Sequence, residues 1–460
     1  MPSGRTQGRH GRRERASCGT LCPVPLHRGT SAFLCVLAVS LPVFPSHARE
    51  SPCIDIDSVS DRREGGEGDE HASQAPQAGR EPLTIGRISV RPGELFDPAR
   101  PGEGRWFHGM ANALHFATRE ATVLAALPFT SGDRFSDSRL EEGERALRTR
   151  RFLRDATVVP VRRCGDVADV DVHTIDNWTL TPSIAFGSAG GVERYSVEVQ
   201  DMNVLGLGKE LLFRASRSGK EHESRFVYGD DNVLGGPHRL RLEVGDTEDG
   251  ERYEVSAGLP FRTASSSASW WLSALSETDS FKLAPDAPQV STVDTLSAAA
   301  LVDTERFDLG VAAALSRSTF DVARAGAGFR IERQITRLPV GLDEAAKRTD
   351  FEEAYPYLQA SWAQRKWTER SNYPGIGRIE DIDTGIGVHI EAGLLLEALG
   401  NVRDQLRFSA ELAKAWHVGE DALHRLTLGG TRYVGAATDP NAPPRASRRV
   451  HPLSVLSLAW

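Results

Sequence analysis

Apolar and polar residues alternate along most of the chain after residue 177. Residues 195–199, 239–244, 252–259, 386–390 and 405–412 place aliphatic or aromatic side chains at every second position. A period of two predicts β-strands with one apolar face, and about eleven candidate strands of this kind lie between residues 179 and 428. The opposite face of these strands carries charges of both signs, so the pattern predicts a large sheet with two unlike faces.

Two architectures produce such a sheet. In a soluble sandwich the apolar face packs against a second sheet. In a membrane barrel the apolar face contacts lipid, and the charged face lines a wet lumen. A sandwich has a limited number of strands with Pro- and Gly-rich turns at regular spacing. The long run of candidate strands therefore favours an all-β transmembrane antiparallel barrel over residues 177–430.

A different pattern precedes the predicted barrel. Residues 85–90 alternate like a strand, and a helix is expected from Thr118 until Pro128 limits it. Ser136 offers a cap for a second helix, whose acids come early and whose arginines come late, as the helix dipole favours. Two further strands are expected over residues 156–161 and 167–172. This order predicts a compact α+β domain over residues 83–176.

The first 82 residues predict export. An arginine-rich start, an apolar run over residues 32–44 and the small residues around Ala48 are typical of a signal peptide over residues 1–48. Residues 49–82 are predicted to be a disordered tether, since they offer little apolar surface to offset the entropy of ordering. Cys53 and Cys164 remain after the leader. They can form a disulfide in an oxidising compartment, but two cysteines do not define a framework.

Composition narrows the function classes. The formal net charge of −8 offers no basic footprint, so no nucleic-acid partner is expected. No nucleotide loop, nucleophile elbow or metal-ligand spacing occurs in the sequence, so no enzyme activity, metal or cofactor is expected. The adjacent Trp270 and Trp271 can mark either a membrane-interface girdle or a core pair.

A tetrapeptide, Asn-Val-Leu-Gly, occurs twice, 29 residues apart. The spacing suits two strands with one outer loop and one inner turn, so both copies are predicted on the same inner rim. Asn and Gly suit tight turns in which φ is positive. With the acid before each copy, the predicted inner-rim turn residues are Asp201, Asn203, Gly206, Asp231, Asn232 and Gly235.

Residues 83–430 resemble the bacterial surface antigen family of outer-membrane assembly proteins, in which periplasmic POTRA domains precede a β-barrel. The residues that carry the resemblance are Thr118, the segment Leu127-Pro128-Phe129-Thr130-Ser131-Gly132-Asp133-Arg134-Phe135, then Leu140, Glu144, Arg145, Leu147, Arg148, Phe152, Leu153, the barrel start Asp176-Asn177-Trp178-Thr179-Leu180, the two repeated turns, and Pro260-Phe261. The resemblance implies a POTRA-like domain over residues 83–176 and a barrel of about sixteen strands in the outer membrane of a Gram-negative bacterium. Its implied partners are outer-membrane lipid and unfolded β-rich client proteins.

The family implies work by strand pairing. An edge strand of the POTRA-like domain can accept an extended client strand through backbone hydrogen bonds. The candidate client-binding residues are Ala156, Thr157, Val158, Val159 and Val161, while Pro160 removes one donor. A folded spacer that binds no client is the alternative for this domain.

The end of the chain departs from the family. Gly429, Gly430 and Arg432 resemble the approach to an inward loop, but the expected Arg-Gly-aromatic tip is missing. Residues 431–460 are therefore interpreted as an atypical tail, too short for the four or five strands that the family still requires. A truncated or frameshifted gene product is one explanation. The alternative is a terminal strand formed by Leu456, Leu458 and Trp460.

The favoured function is an outer-membrane barrel that inserts, assembles or translocates β-rich clients. The alternatives are a passive pore, a two-partner-type secretion channel and a non-functional truncated product. A POTRA-like domain has no use in a simple pore, which is why the assembly function is favoured.

Overall fold

The structure, a computed structural model, covers the chain in several ranges. The described residues are 53–56, 83–96, 106–189, 191–219, 221–248, 250–282, 299–318, 320–337, 350–371, 378–418, 422–435 and 454–459. Contacts divide the chain into two compact units, Met1–Glu50 and Ser51–Trp460, and every described residue belongs to the second. The signal peptide predicted over residues 1–48 and most of the tether lie outside the described residues.

The first part of the second unit is a four-stranded sheet with three helices, here called the α/β unit. Its elements are β1 Cys53–Asp55, β2 Thr84–Gly93, α1 Trp106–Leu114, α2 Glu120–Ala126, α3 Asp137–Arg148, β3 Leu153–Cys164 and β4 Val167–Asp176. The strand order is β1-β3-β4-β2. β2 runs parallel to β4, and the other pairs are antiparallel.

Amphipathic helices and alternating strands make the core of the α/β unit. Ile85 of β2, Leu147 of α3 and Val170 of β4 are among the apolar side chains buried between the helices and the sheet. Ser136 caps the start of α3, and its side chain accepts a hydrogen bond from the backbone of Arg139. The two predicted helices and three predicted strands are present. α1 is an additional helix that the sequence did not reveal.

Strand β1 lies in the stretch predicted to be a disordered tether, so that prediction is wrong for residues 53–55. β1 pairs with the end of β3, with Cys53 opposite Cys164, and a disulfide joins these two residues. Ile56 also donates a backbone hydrogen bond to Val161 at 2.9 Å. The acidic composition of the surrounding stretch concealed a short strand whose position depends on a partner 111 residues away.

The remainder forms a sheet of 14 antiparallel strands in sequential order. Its strands are β5 Leu180–Ala189, β6 Val192–Asp201, β7 Lys209–Ser218, β8 Glu221–Asp230, β9 Arg239–Thr247, β10 Gly250–Leu259, β11 Ala268–Lys282, β12 Ala299–Arg317, β13 Asp321–Arg337, β14 Phe351–Gln364, β17 Ile386–Leu395, β18 Gln405–Val418, β19 Ala422–Val434 and β20 Ser454–Ala459. Between β14 and β17, a separate two-stranded hairpin consists of β15 Trp367–Ser371 and β16 Ile379–Asp383. Among the described strands, no pairing joins β5 to β20.

The end of the sheet bears on two expectations. Gly429, Gly430 and Arg432 lie inside β19, opposite Glu411, Ala410 and Phe408 of β18. Residues 436–453, where the predicted inward loop would follow, lie outside the described residues. β20 pairs with β19 within the segment predicted to be an atypical tail, so that interpretation is wrong for residues 454–459. β20 contains Leu456 and Leu458 of the alternative terminal strand, while Trp460 lies outside the described residues.

In the large sheet the apolar face is exposed and the charged face is enclosed, which is the reverse of the arrangement in a soluble protein. Phe186, Leu315 and Leu358 are 82%, 71% and 67% exposed, whereas Glu243 and Glu391 on the other face are 3% and 5% exposed. Apolar side chains therefore point away from the molecule, and charged side chains are enclosed.

The adjacent tryptophans Trp270 and Trp271 divide between the two faces. Trp270 stays partly exposed, while the indole of Trp271 donates to the Asp308 carboxylate at 3.0 Å. They belong to neither a single girdle nor a single core pair, because consecutive residues of a strand point to opposite faces.

Replacing both cysteines of the disulfide by serine should destabilise the α/β unit. Loss of a disulfide that closes a long loop typically lowers the free energy of unfolding by about 2–4 kcal/mol. We expect faster amide hydrogen exchange across β1 and β3 in the double variant, measured by mass spectrometry. Dithiothreitol should reproduce the effect in the unmodified chain and add nothing in the variant. Unchanged amide exchange in both experiments would contradict a stabilising role of the disulfide between β1 and β3.

Candidate functional site at the rim below the α/β unit

Two similar turns connect strands at one rim of the large sheet. The first joins β6 to β7 and contains Asn203 and Gly206, and the second joins β8 to β9 and contains Asn232 and Gly235. In both turns the leucine before the glycine has a positive φ, 54° at Leu205 and 53° in the second copy. The repeated tetrapeptide therefore adopts the same backbone conformation twice, on the rim that meets the α/β unit.

The acids that support the two turns are not the pair predicted from the sequence. Asp201 accepts a hydrogen bond from the backbone of Asn203 at 2.9 Å, and Asp230 accepts the equivalent bond from Asn232 at 2.9 Å. The repeat is therefore Asp-x-Asn-Val-Leu-Gly, and Asp230 corresponds to Asp201. Asp231, the predicted member, instead faces Arg150 of the α/β unit at 2.8 Å.

The first turn is bonded to the start of α2. Buried Asn203 donates from Nδ2 to Thr118 Oγ1 at 2.8 Å. The Gly206 carbonyl accepts from the Arg119 backbone at 3.0 Å and from Thr122 Oγ1 at 2.9 Å. Thr118 also donates its backbone N–H to Asp176 at 2.7 Å, at the end of β4. These bonds join the α/β unit, its exit strand and the rim in one buried network.

The second turn is bonded to the other end of α2. Asn232 Nδ2 donates to the carbonyl of Ala125 and also to Gly236 at 3.2 Å. The two turns are separated by two strands, or about 10 Å at the usual strand spacing. The stretch from Arg119 to Ala125 covers a similar distance at about 1.5 Å per helical residue. The short helix α2 therefore bridges the two turns.

The predicted client-binding strand is β3, whose inner edge pairs with β4. On its other edge, β1 covers only the last residues of β3. Earlier in β3, side chains form hydrogen bonds with the strand's backbone. The Ala156 carbonyl accepts from Arg148 Nε at 3.3 Å, and the Val158 N–H donates to Glu144 at 3.1 Å. The Ala156 N–H donates to Asp155 at 2.8 Å. Three of the backbone groups that a client strand would use are therefore already bonded.

The β15–β16 hairpin forms ion pairs with Arg148, one of the residues whose side chains cover this edge. Arg148 Nη1 lies 2.7 Å from Glu369 and 3.3 Å from Asp381, and it also pairs with Glu144 on its own helix. Arg378, just before β16, donates to the Arg148 carbonyl at 2.9 Å. One arginine thus links α3, the β3 edge and the hairpin at the rim.

Burial and the neighbouring charges shift the pKa values of the ionisable groups at this junction in opposite directions. Burial raises the pKa of the Glu144 carboxyl, although Arg148 opposes the shift. Burial likewise raises the pKa of Asp381 against the effect of Arg148. For Arg148 itself, burial opposes the charge, but Glu144 and the hairpin acids raise its pKa. The acids compete for one guanidinium group, so the hairpin contact is held by a charged, partly buried network.

A further contact fixes the α/β unit to the loop between β10 and β11. The Glu142 carboxylate of α3 accepts from the Ser265 backbone at 3.1 Å and from its hydroxyl at 2.7 Å. Sequence reasoning missed Glu142, Arg148 and the hairpin acids as functional candidates. For Arg148 the available signal was its place among the charged residues late in α3, which equally suits a solvated helix end.

The enclosed face of the sheet carries crossed ion pairs. Glu243 lies 2.8 Å from both Arg225 and Arg252, and Arg330 lies 2.7 Å from Asp308 and 3.1 Å from Glu391. Arg407 reaches the same Glu391 at 2.6 Å from a neighbouring strand. Alternate residues of adjacent strands meet on this face, so charges of both signs are neutralised across the sheet.

Two features are absent from the described ranges. No group of three or more His, Cys, Asp or Glu side chains is arranged there to hold a metal ion. None of the helices in that part of the chain is long and apolar enough to cross a membrane.

Comparisons with known proteins give distant similarities only. No family model matches the chain, and no curated protein matches it. Among solved structures, CdiB from Acinetobacter baumannii aligns at 12% identity and a TM-score of 0.41, covering 77% of this chain and 53% of that one. A structure of BamA from Haemophilus ducreyi lacking POTRA domains 1-3 aligns at 12% identity and a TM-score of 0.29, covering 78% and 57%. CdiB from Escherichia coli aligns at 9% identity and a TM-score of 0.31, covering 79% and 70%.

The chain thus spans little more than half the length of the first two of these structures. The similarities are distant, and they assign no activity to this chain.

The two repeated turns offer a matched test of the rim contact. Gly206 and Gly235 have φ values of 74° and 75°, so alanine costs about 1–2 kcal/mol of backbone strain at either position. At Gly206 an added Cβ would also collide with the Ala117 carbonyl, whereas at Gly235 no atom lies within 4 Å of it. We expect Gly206→Ala, but not Gly235→Ala, to speed amide exchange across α2. Unchanged exchange across α2 in Gly206→Ala would contradict the bridging role of α2.

Proposed function

We propose that the 14-stranded sheet forms the wall of an outer-membrane β-barrel in a Gram-negative bacterium. The observation that carries this proposal is the inverted polarity of the sheet, with large apolar side chains outward and ion pairs enclosed. In water, an outward apolar surface of this extent is costly, whereas lipid stabilises it. The enclosed charges then line a hydrated interior, as in outer-membrane barrels.

Strand length supports the same proposal. Apart from β20, the strands of the large sheet have between 9 and 19 residues. A tilted transmembrane strand needs about 9–11 residues. Each of these strands is therefore long enough to cross the outer membrane, and the longer ones would extend beyond it.

We further propose that the α/β unit is a POTRA-like domain on the periplasmic side and that the chain inserts, assembles or secretes β-rich client proteins. The proposed work is strand pairing and membrane insertion, without bond-making chemistry. Support comes from the placement of the α/β unit, which is seated by α2 and Glu142 on the rim turns of the same sheet. A domain seated this way can pass an extended segment toward the sheet.

Client capture by β3 requires a prior step in this proposal. Arg148, Glu144 and Asp155 occupy the backbone groups of residues 156–158, and the β15–β16 hairpin holds Arg148 through Glu369 and Asp381. A client strand must displace these side chains before it can pair. The hairpin contact would therefore keep the edge covered until the client, or another event at the rim, releases it.

Leu358 and Gln359 allow a test of the membrane orientation. Leu358 is 67% exposed on the outward face, while Gln359 lies on the enclosed face opposite Glu391. Leu358→Arg should destabilise a membrane-inserted barrel by about 2–4 kcal/mol, because the charge enters lipid. Gln359→Arg should be tolerated, since its charge lies beside a carboxylate in a wet interior.

The measurement is unfolding in lipid vesicles, with the same two variants compared for folding yield. In a soluble protein, arginine at an exposed position would cost at most about 0.5 kcal/mol. A neutral Leu358→Arg variant would therefore reject the membrane proposal.

The client proposal can be tested at the hairpin. Replacing Glu369 and Asp381 by alanine should loosen Arg148 and open the β3 edge. With an unfolded barrel-strand peptide added, we expect amide protection at residues 156–161 to rise more in this double variant than in the unmodified chain. Glu380→Ala is the matched control, since Glu380 lies on the same hairpin and pairs with Arg378 at 3.0 Å.

Lack of added protection at residues 156–161 in every variant would reject client capture by β3. It would leave the barrel proposal intact, with a pore or secretion channel as the remaining functions.

A further inference from the structure

Three arginine side chains converge on one acidic residue where the α/β unit meets the rim. Arg150 Nη1 lies 2.8 Å from Asp231 Oδ2, and Arg239 Nε lies 2.6 Å from Asp231 Oδ1. Arg262, from the loop after β10, donates to the backbone carbonyl of Asp231. These three arginines are here called the Arg150–Arg239–Arg262 cluster.

The cluster has an excess of positive charge. Arg150 and Arg239 pair with the single carboxylate of Asp231, while Arg262 donates to its backbone carbonyl, so Asp231 balances one of the three positive charges and leaves two unbalanced. The neighbouring Asp230 does not compensate, because its carboxylate pairs with Lys209 and accepts the backbone N–H of Asn232. The arginine two residues further along β9, Arg241, has carboxylates of its own, Glu210 at 3.2 Å and Glu243 at 3.8 Å.

Burial makes this excess unfavourable without a further anion. Arg150 is 8% exposed, and within the described residues its Nε has no hydrogen-bond partner. Burial lowers the pKa of Arg262 to about 10, and Arg150 adds to that shift. Although burial alone would raise the pKa of Asp231, Arg150 and Arg239 lower it. A buried donor, excess charge and an arginine whose charge is disfavoured are the conditions of an anion site.

We propose that the Arg150–Arg239–Arg262 cluster binds a phosphate group. Guanidinium forks match the oxygens of phosphate and bind it through paired, charge-assisted hydrogen bonds. A phosphate monoester carries a charge of about −1.5 to −2 at pH 7, which matches the excess of the cluster, and a phosphodiester, with one negative charge, offsets part of it. The site is reachable, since the side chains of Arg239 and Asp231 are 55% and 41% exposed, while Arg150 forms its buried base.

Two sources offer this chemistry, a free phosphate and the headgroup of an anionic phospholipid. The site lies on the rim of the large sheet, where headgroups would lie if that sheet spans a membrane. Only the lipid source rests on the proposed function, because a free phosphate can bind to the rim in any solvent.

The first experiment titrates inorganic phosphate into the full chain in neutral detergent, with chloride used to hold ionic strength constant. We expect saturable binding by calorimetry and a rise in the thermal unfolding midpoint. Arg239→Gln should weaken binding about tenfold, which corresponds to about 1.4 kcal/mol. Arg241→Gln is the matched control on the same strand and should bind phosphate like the unmodified chain.

A second variant separates binding from folding. Asp231→Asn removes the competing carboxylate, so it should lower the unfolding midpoint without phosphate but bind phosphate more tightly than the unmodified chain. A merely structural cluster would give the first effect without the second. The proposal is overturned if the unmodified chain shows no saturable binding, or if Arg239→Gln and Arg241→Gln bind phosphate equally.

The lipid arm compares vesicles of phosphatidylglycerol with vesicles of phosphatidylcholine. Preference for phosphatidylglycerol that disappears in Arg239→Gln would identify a lipid headgroup as a ligand. Phosphate binding in detergent without that preference would identify a free phosphate. Either result supports the site. If the Leu358→Arg experiment rejects the membrane proposal, the phosphate binding measured in detergent still tests the site by itself.

Discussion

The polarity of the large sheet is the constraint on which the rest of the structure depends. Its outward face exposes side chains such as Leu315, and its enclosed face binds Glu243 between two arginines. Each enclosed charge needs a partner on the next strand, because an unpaired buried charge is costly. Strand order and register are therefore fixed from within by ion pairs. The outward face is left free to meet any apolar surroundings.

The sequence was sufficient to predict the helices and strands that depend on the local spacing of apolar residues. Alternation predicted the long sheet, and α2, α3 and the strands of residues 83–176 follow from apolar spacing and a serine cap, whereas α1 was not predicted. Contacts between distant segments were not accessible in this way. β1 is three residues long and depends on Cys164. Asp231 was predicted as the acid of the second turn, although Asp230 holds the position equivalent to Asp201 and supports the turn. The β15–β16 hairpin gave no period that distinguished it from a loop.

The candidate edge shows why a sequence can indicate a strand but not its availability. Residues 156–161 are rich in β-branched residues, which favour a strand, and the structure places them in β3. An exposed edge invites pairing with other chains, and proteins commonly protect such edges. Here the protection comes from Arg148 and Glu144, which lie on another element and depend on the hairpin. The same residues would set how readily a client can compete for the edge.

The bridge made by α2 has a consequence for the geometry of the sheet itself. Strands can slip past one another only in steps of two residues if their faces are to be kept, a shift of about 7 Å. Such a slip between β7 and β8 would move the two repeated turns to different heights. A helix bonded to Asn203 at one end and Asn232 at the other cannot follow that movement. The contacts at the two ends of α2 thus constrain the register of β7 against β8, so the α/β unit and the sheet hold one another in alignment.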